Sequence, residues 1–190
     1  MDAKQQIFSE LCQQIKTCQN CSLHLHRQNP VPGEGNLDAR LFFIGEGPGA
    51  TEDQQGRPFV GQAGKILDQL LADIGIDRKD VFIGNAVKCR PPGNRTPTME
   101  EINACEPFLL SQIALIEPQL IVLLGSAALN AVIGPGHSIS LVRGSLMEHQ
   151  GMLFFPVFHP AASLYRREIF EQLKKDFKEL QKIMKEKLHD

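Results

Sequence analysis

The sequence has no apolar run long enough to cross a membrane. Its longest apolar stretches, residues 120–125 and 152–158, fall far short of the roughly 20 residues that a membrane-spanning helix needs. The first residues lead into an amphipathic segment, with no continuous apolar stretch before a small-residue cleavage site. We therefore expect no secretory signal, no membrane partner and a cytoplasmic location.

The chain also lacks a strong excess of charge of either sign. Its 20 basic and 22 acidic residues leave a net charge of -2, and the pI is about 6.3. A protein that coats nucleic acid usually has a basic surface, so this balance argues against that class. It leaves room for a local basic patch, which is enough for weak, salt-sensitive contact with DNA.

No internal repeat or low-complexity tract divides the chain, and 42% of its 190 residues are hydrophobic. We expect one domain, residues 1–190, with an N-terminal cysteine segment and a C-terminal helix. Apolar runs predict strands, and helical periodicity predicts helices. The strands are expected at 41–44, 81–87, 120–125 and 152–158, and the helices at 3–16, 62–74, 98–117, 126–133 and 164–188. Thr98 and Glu101 have the form of a capping box at the start of the helix expected at 98–117, and Pro107 is expected to bend that helix or delay its start.

Strands that alternate with helices indicate an α/β protein with a mostly parallel sheet. In such sheets, ligands bind at the carboxyl ends of the strands. Three conspicuous loops follow predicted strands, at 45–49, 90–97 and 159–160. We expect these loops to converge on one edge of the sheet.

Cysteines are few, but four of the five have the spacing of a metal centre. Cys18 and Cys21 form a CxxC pair, and Cys89 and Cys105 flank the loop at 90–97. Four thiolates can hold a tetrahedral zinc ion or a [4Fe–4S] cluster, and spacing does not choose between them. The alternative is that the later two cysteines are small buried apolar residues. Cys12 is expected to pack on the first helix.

Four motifs read together carry a family resemblance. They are Gly-Glu-Gly-Pro-Gly at 45–49, Gly-Arg-Pro-Phe-Val-Gly at 56–61, Asn-Ala-Val-Lys-Cys-Arg-Pro-Pro at 85–92, and His-Pro-Ala-Ala at 159–162. In order and spacing they resemble the family 4 uracil-DNA glycosylases, and the cysteine pattern matches that family's [4Fe–4S] ligands at all four positions. The resemblance implies a three-layer α/β/α sandwich with a central four-stranded parallel sheet and a structural cluster. It implies hydrolysis of the N-glycosidic bond of uracil in single- or double-stranded DNA.

The resemblance also implies roles for residues around a flipped base. Phe59 is expected to stack on the uracil, because a flat aromatic face holds a base. Asn85 is expected to read the uracil edge, because one amide offers both a donor and an acceptor. His159 is expected to donate to the uracil O2, where negative charge develops as the bond breaks.

The glycine turn carries further candidates. A related family has an aspartate where Gly47 stands, so Glu46 or the backbone at Gly47 is expected to take over its catalytic work. Gly45 and Pro48 are expected to shape the uracil-binding loop, because glycine lets backbone amides approach a ligand closely. Glu52 resembles a family carboxylate near the pocket, placed against the position of a thymine methyl group.

Contacts to DNA are expected from the loops around this site. Lys88, Arg90 and Arg95 are candidate phosphate contacts. Leu164 is the preferred wedge, although the family often has its leucine one position earlier, where this chain has Ser163. A related subgroup traps uracil covalently through a histidine in an inserted loop. The segment 93–97 has no insertion and no histidine, so we expect turnover without an adduct.

Two other classes of protein are weighed against this hypothesis. An iron–sulfur or zinc protein for electron transfer needs only the cysteines and leaves the other motifs unexplained. A dinucleotide-binding domain needs a full GxGxxG pattern, but Ala50 ends the glycine run, Pro48 interrupts it, and the loop is not expected to open a helix directly. We further expect a monomer, with a sliding clamp as a candidate partner.

Overall fold

A six-stranded sheet forms the centre of the computed structural model, which describes residues 3–188. The strands are β1 (Glu34–Gly35), β2 (Leu41–Gly45), β3 (Phe82–Asn85), β4 (Leu120–Leu124), β5 (Met147–His149) and β6 (Met152–Val157). Their order is β1-β3-β2-β4-β6-β5. The four inner strands are parallel, as predicted, and the two edge strands are antiparallel to their neighbours.

The two edge strands were not predicted, because neither has a distinctive apolar run. β1 has two residues, and β5 has three with none fully buried. β5 joins β6 through Gln150 and Gly151, whose φ angles of 49° and 77° are those of a tight hairpin turn. Such short edge strands end a sheet without offering a long unpaired edge to other chains.

Helices cover both faces of the sheet. They are α1 (Ala3–Thr17), α2 (Ala50–Gln55), α3 (Gln62–Asp73), α4 (Met99–Ile116), α5 (Ser126–Val132), α6 (Ile139–Val142) and α7 (Arg167–Lys187). One core joins α3 and α7 to side chains such as Phe43 and Phe155. The other joins α4 and α5 to Phe42 and Phe154 on the opposite face. Neighbouring strand residues thus enter different cores, which is the period-2 alternation of a strand buried on both sides. The three-layer α/β/α architecture is as expected.

Three local expectations need correction. The glycine loop does open a helix, because Gly49 is the N-cap of α2. α4 begins at the predicted Thr98 capping box but runs through Pro107 as a single helix. α7 begins at Arg167 and not at 164, because Pro160–Ser163 forms a short 3₁₀ helix that the chain must leave first.

No helix within residues 3–188 is long and apolar enough to cross a bilayer.

Candidate active site

A cavity of about 330 Å³ opens at the carboxyl ends of the inner strands, where the three loops were expected to meet. This volume is that of a small-ligand site. Its lining comprises Glu46, Gly47, Pro48, Gly49, Glu52, Phe59, Ala63, Asn85, Pro91, Asn94, Arg95, His159 and Ala161. Most residues predicted from the sequence for base binding and catalysis therefore lie around one space. Sequence reasoning assigned no role to Ala63, Asn94 or Ala161, because two of them are alanines and an asparagine in a turn is common.

Phe59 forms one wall of the cavity in an unusual backbone conformation. Its φ is 48°, its side chain is buried, and its ring stacks on the His159 ring with centroids 5.7 Å apart. Two glycines make this placement possible. A Cβ on Gly64 would collide with the Phe59 carbonyl oxygen, and one on Gly45 would lie 2.7 Å from the Phe59 ring. Gly45 therefore supports the pocket from beneath without lining it.

Two charged side chains hold the loop that carries Phe59. Glu52 Oε1 accepts hydrogen bonds from the backbone N–H groups of Val60 at 3.0 Å and Gly61 at 2.9 Å, at the start of α3. The Arg78 guanidinium donates to the carbonyl oxygens of Pro58 at 2.6 Å and Phe59 at 3.0 Å. Glu52 thus lies in the pocket as predicted, but it also holds the backbone that leads into α3. No motif in the sequence pointed to Arg78.

Asn85 ends β3 at the floor of the cavity and is 1% exposed. Among the described residues, its Oδ1 has no hydrogen-bond partner. A buried acceptor without a partner is costly, so such an atom in a pocket wall marks a place for a ligand donor. Gly45 again matters here, because a Cβ at that position would lie 2.5 Å from Asn85 Oδ1.

His159 faces the cavity as a neutral hydrogen-bond donor. Its Nδ1 accepts a hydrogen bond from the Ala161 backbone N–H at 3.1 Å. A ring nitrogen that accepts carries no proton, so the proton of the neutral imidazole lies on Nε2. Burial lowers the pKa of His159 to about 4, against the opposing effect of the Glu52 carboxylate. The ring is therefore uncharged at neutral pH, with Nε2–H free to donate.

Glu46 is the carboxylate of the glycine turn. Burial raises its pKa, and a hydrogen bond with the Thr96 side chain opposes that rise. Gly47 cannot be replaced by a residue with a side chain without movement, because a Cβ there would lie 2.8 Å from Val87 Cγ2. Beside Pro48, this part of the pocket wall therefore offers backbone groups and one carboxylate.

The rim of the cavity carries exposed side chains. Arg95 donates through two nitrogens to Glu101, at 2.8 and 2.7 Å, and Arg90 Nε donates to Asn94 Oδ1 at 2.7 Å. The Arg95 guanidinium, followed by other hydrogen bonds, lowers the pKa of Glu101 to about 2. Leu164 is partly exposed beyond the 3₁₀ helix, and the following Tyr165 is 92% exposed. Both arginines and Leu164 thus face solvent, as a contact to DNA requires.

Lys88 does not lie on this surface, so its prediction as a phosphate contact is wrong. It is 1% exposed, and its ammonium donates to the Asn85 carbonyl oxygen at 2.7 Å and to Gln112 Oε1 at 2.6 Å. Burial lowers the pKa of Lys88 to about 8. The sequence could not reveal this, because a lysine two residues before an arginine, at the start of a proline-rich loop, is typical of a solvated cation.

The four predicted metal ligands line a second, smaller cavity between α1 and α4. Its lining consists of Ile15, Cys18, Asn20, Cys21, His24, Arg27, Lys88, Cys89, Ala104, Cys105 and Phe108. Cys12 is not among them, in keeping with its expected packing role. No carboxylate lines this space, so thiols are its main ligand atoms. Within residues 3–188, no three His, Cys, Asp or Glu side chains converge closely enough to hold a single metal ion.

Three N–H groups point at sulfur atoms of this cysteine cavity. The donors are the Asn20 N–H to Cys18 Sγ at 3.5 Å, Arg27 Nη1 to Cys89 Sγ at 3.1 Å, and the Lys88 N–H to Cys105 Sγ at 3.3 Å. Burial raises the pKa of the Cys105 thiol to about 11, against the lowering effect of the Lys88 charge and backbone N–H. Hydrogen bonds from these donors stabilise the thiolate form of the cysteines, whereas burial destabilises it. A bound cation would stabilise the thiolates further. The donor set fits a thiolate-bound metal group.

An α/β/α fold with an aromatic-walled pocket at the carboxyl ends of its parallel strands has the form of a small-ligand site. The family model described as Uracil DNA glycosylase superfamily matches residues 32–185. The chain belongs to the uracil-DNA glycosylase superfamily, as its motifs indicated.

Curated relatives resemble the chain over most of its length. A type-4 uracil-DNA glycosylase of Thermotoga maritima is 50% identical over 169 residues, covering 88% of each chain. One of Saccharolobus solfataricus is 43% identical over 186 residues, covering 93% of this chain and 86% of its own. One of Sulfurisphaera tokodaii is 42% identical over 192 residues, covering 96% and 86%.

Proposed function

We propose that this protein removes uracil from DNA by hydrolysing the N-glycosidic bond, which releases free uracil and leaves an abasic site. The observation that carries the proposal is the buried, unpartnered Asn85 Oδ1 in a cavity that also holds an aromatic face and a neutral imidazole. The names of the type-4 relatives support the same activity.

Recognition depends on the floor of the cavity. A uracil turned out of the DNA stack lies against the Phe59 ring. The Asn85 Oδ1 accepts from uracil N3–H, and the Asn85 amide group donates to uracil O4. Cytosine presents the opposite pattern on this edge, so it would leave Asn85 Oδ1 without a donor. A buried polar group left unpaired rejects a wrong ligand more strongly than a steric difference does.

Catalysis depends on His159. As the glycosidic bond breaks, negative charge develops on uracil O2, and Nε2–H of the neutral ring donates to that oxygen. The hydrogen bond strengthens as negative charge grows on O2, so it stabilises the transition state more than the bound substrate. The Ala161 N–H holds the ring tautomer in place, so no proton must move before the reaction.

Water is positioned by Glu46 with the backbone at Gly47. Of the two carboxylates in the cavity lining, Glu52 already accepts two backbone hydrogen bonds. Glu46 is therefore the better candidate to orient the attacking water and favour the cationic sugar. Glu52, Gly45 and Pro48 shape the wall that the base meets, and Glu52 stands where the methyl group of thymine would approach.

The four cysteines hold a [4Fe–4S] cluster with a structural role. Four thiols line one cavity that no carboxylate lines, and the resemblance of the motifs to a cluster-binding family favours a [4Fe–4S] cluster over zinc. When bound, the cluster supplies a covalent link between the N-terminal segment and both ends of residues 89–105. Hydrolysis of a glycosidic bond needs no electron transfer.

DNA contacts come from the rim. Arg90 and Arg95 contact phosphates, and Leu164 enters the space that the flipped base leaves. The segment 93–97 is short and has no histidine, so uracil leaves without a covalent adduct. A monomeric state, a cytoplasmic location and a contact with a sliding clamp stay predictions.

The test uses the purified protein and an oligonucleotide with a single uracil, in single- and double-stranded form. Matched oligonucleotides carry thymine or cytosine at that position. After incubation, hot alkali cleaves any abasic site, and a denaturing gel resolves the products. Strand scission with uracil alone supports the proposal. No scission by protein that contains its metal would contradict it.

A further inference from the structure

Lys88 is a buried cation whose hydrogen-bond acceptors are both neutral. Its ammonium donates to the carbonyl oxygen of Asn85 at 2.7 Å and to the side-chain oxygen of Gln112 at 2.6 Å. Across residues 3–188, no carboxylate forms an ion pair with it. Moving a charge out of water without an opposite charge nearby is expensive. The position of Lys88 therefore calls for an anion.

The cysteine cavity supplies that anion when metal is bound. Lys88 and Arg27 both line it, together with the four cysteines. Cysteine binds metal as thiolate, and a doubly positive metal core on four thiolates leaves two negative charges in excess. Arg27 donates to Cys89 Sγ at 3.1 Å, and the Lys88 backbone N–H donates to Cys105 Sγ at 3.3 Å. Two cations thus accompany a group with two excess negative charges.

The hydrogen bond from the Lys88 ammonium to Asn85 connects Lys88 to the base pocket. The carbonyl that binds its ammonium belongs to Asn85, whose side chain faces the cavity. Gln112 completes the arrangement, because its Nε2 donates to the Pro32 carbonyl oxygen at 2.6 Å. Lys88 is therefore a direct physical link between the cysteine cavity and the residue at the pocket floor.

We propose that Lys88 and Arg27 are the counter-ions of the metal–thiolate group, and that Lys88 also positions the Asn85 amide for the base. The proposal rests on the metal centre and on the uracil pocket proposed above. Lys88 acts through Asn85 and does not touch the substrate, so it is a positioning residue and not a catalytic one.

The first experiment compares Lys88→Met with two matched variants. Lys178→Met removes an exposed lysine on α7, and Gln112→Met removes an acceptor of Lys88 but keeps its charge. Metal content is measured after purification, and metal retention is measured by competition with a chelator at fixed pH. We expect Lys88→Met to bind metal 10–100-fold more weakly, which is typical for loss of a group that supports metal ligands. Lys178→Met should stay close to wild type, and Gln112→Met should fall between Lys178→Met and Lys88→Met, because it removes one acceptor of the buried ammonium but keeps the charge.

A second pair of variants keeps the proposal testable if Lys88→Met does not fold. Arg27→Gln removes the other, partly exposed cation, and Arg27→Lys restores its charge without the guanidinium geometry. We expect weaker metal retention in Arg27→Gln and recovery in Arg27→Lys. Equal retention in wild type, Lys88→Met and Arg27→Gln would overturn the counter-ion assignment. A wild-type protein that holds no metal at all would overturn it too.

The positioning role has its own measurement. In metal-loaded Lys88→Met, kcat for uracil and the preference for uracil over cytosine should both fall about tenfold or more, beyond any change in KM. Unchanged kcat and selectivity would overturn the positioning role. If the wild type holds metal but releases no uracil, the proposed activity and the positioning role both fail. Chelator competition would still decide the counter-ion assignment, because it does not depend on activity.

Discussion

The floor and the rim of the cavity are built in different ways. On the floor, Asn85, His159 and Phe59 are held by the Lys88 ammonium, by the Ala161 N–H and by close glycines. On the rim, Arg95 is exposed and Arg90 half-buried, and they bind polar side chains of α4 and of their own loop. The floor is fixed before a ligand arrives, whereas the rim must exchange its internal partners for a ligand. Substitutions on the floor should therefore have the larger effects.

The largest effect is expected for His159→Ala. The variant loses the donor to uracil O2, and removal of one such donor costs about 10²–10³-fold in kcat. Single-turnover release of uracil measures the loss. His137→Ala, which changes an exposed histidine outside the cavity, is the control and should keep its rate. A loss below tenfold in His159→Ala would remove His159 from the mechanism.

The next effect is expected for Asn85→Asp. The change removes the amide donor and places a carboxyl group against the base edge, so the variant should gain some activity on cytosine or lose activity entirely. We expect the ratio of uracil to cytosine turnover to fall at least about tenfold, which corresponds to roughly 1.4 kcal/mol of discrimination. Asn103→Asp on the exposed face of α4 is the matched control. Unchanged selectivity would show that Asn85 does not read the base.

The burial of His159 on the cavity floor should make the free energy of unfolding depend on pH. Its pKa is about 4 in the folded protein and about 6.5 when unfolded, so the unfolded chain binds more protons between these values. Stability should therefore fall as pH drops from about 6.5 toward 4, by up to about 1.4 kcal/mol per pH unit for this one proton. Urea denaturation of wild type and His159→Gln at several pH values isolates the difference. Parallel curves would contradict the low pKa of His159.

The smallest effect is expected on the rim. Arg95→Ala should make the salt dependence of DNA binding shallower, by about one unit in the slope of log K against log salt, with little change in kcat. Lys178→Ala on α7 is the control and should leave the slope unchanged. If Arg95→Ala also leaves it unchanged, Arg95 serves only to pair with Glu101.

Sequence patterns predicted the features that depend on local hydrophobic periodicity, capping residues and strand direction. Apolar runs gave the four inner strands, Thr98 and Glu101 gave the start of α4, and parallel strands required the three loops to meet. The pattern failed where tertiary contacts decide. Lys88 looked like a solvated cation, yet the chain on both sides of it is buried. Glu52 lies in the pocket as predicted, but the sequence did not show its hydrogen bonds to residues eight and nine positions later, because they depend on how the loop folds back.

Phe59 carries a consequence for the evolution of the molecule. A bulky residue at φ 48° stores about 1–3 kcal/mol of backbone strain, which glycine or asparagine would relieve. The packing of the buried ring outweighs that strain, because losing a buried phenylalanine from a core costs about 3–5 kcal/mol. At this position, heat resistance and the capacity to hold a base therefore favour the same residue.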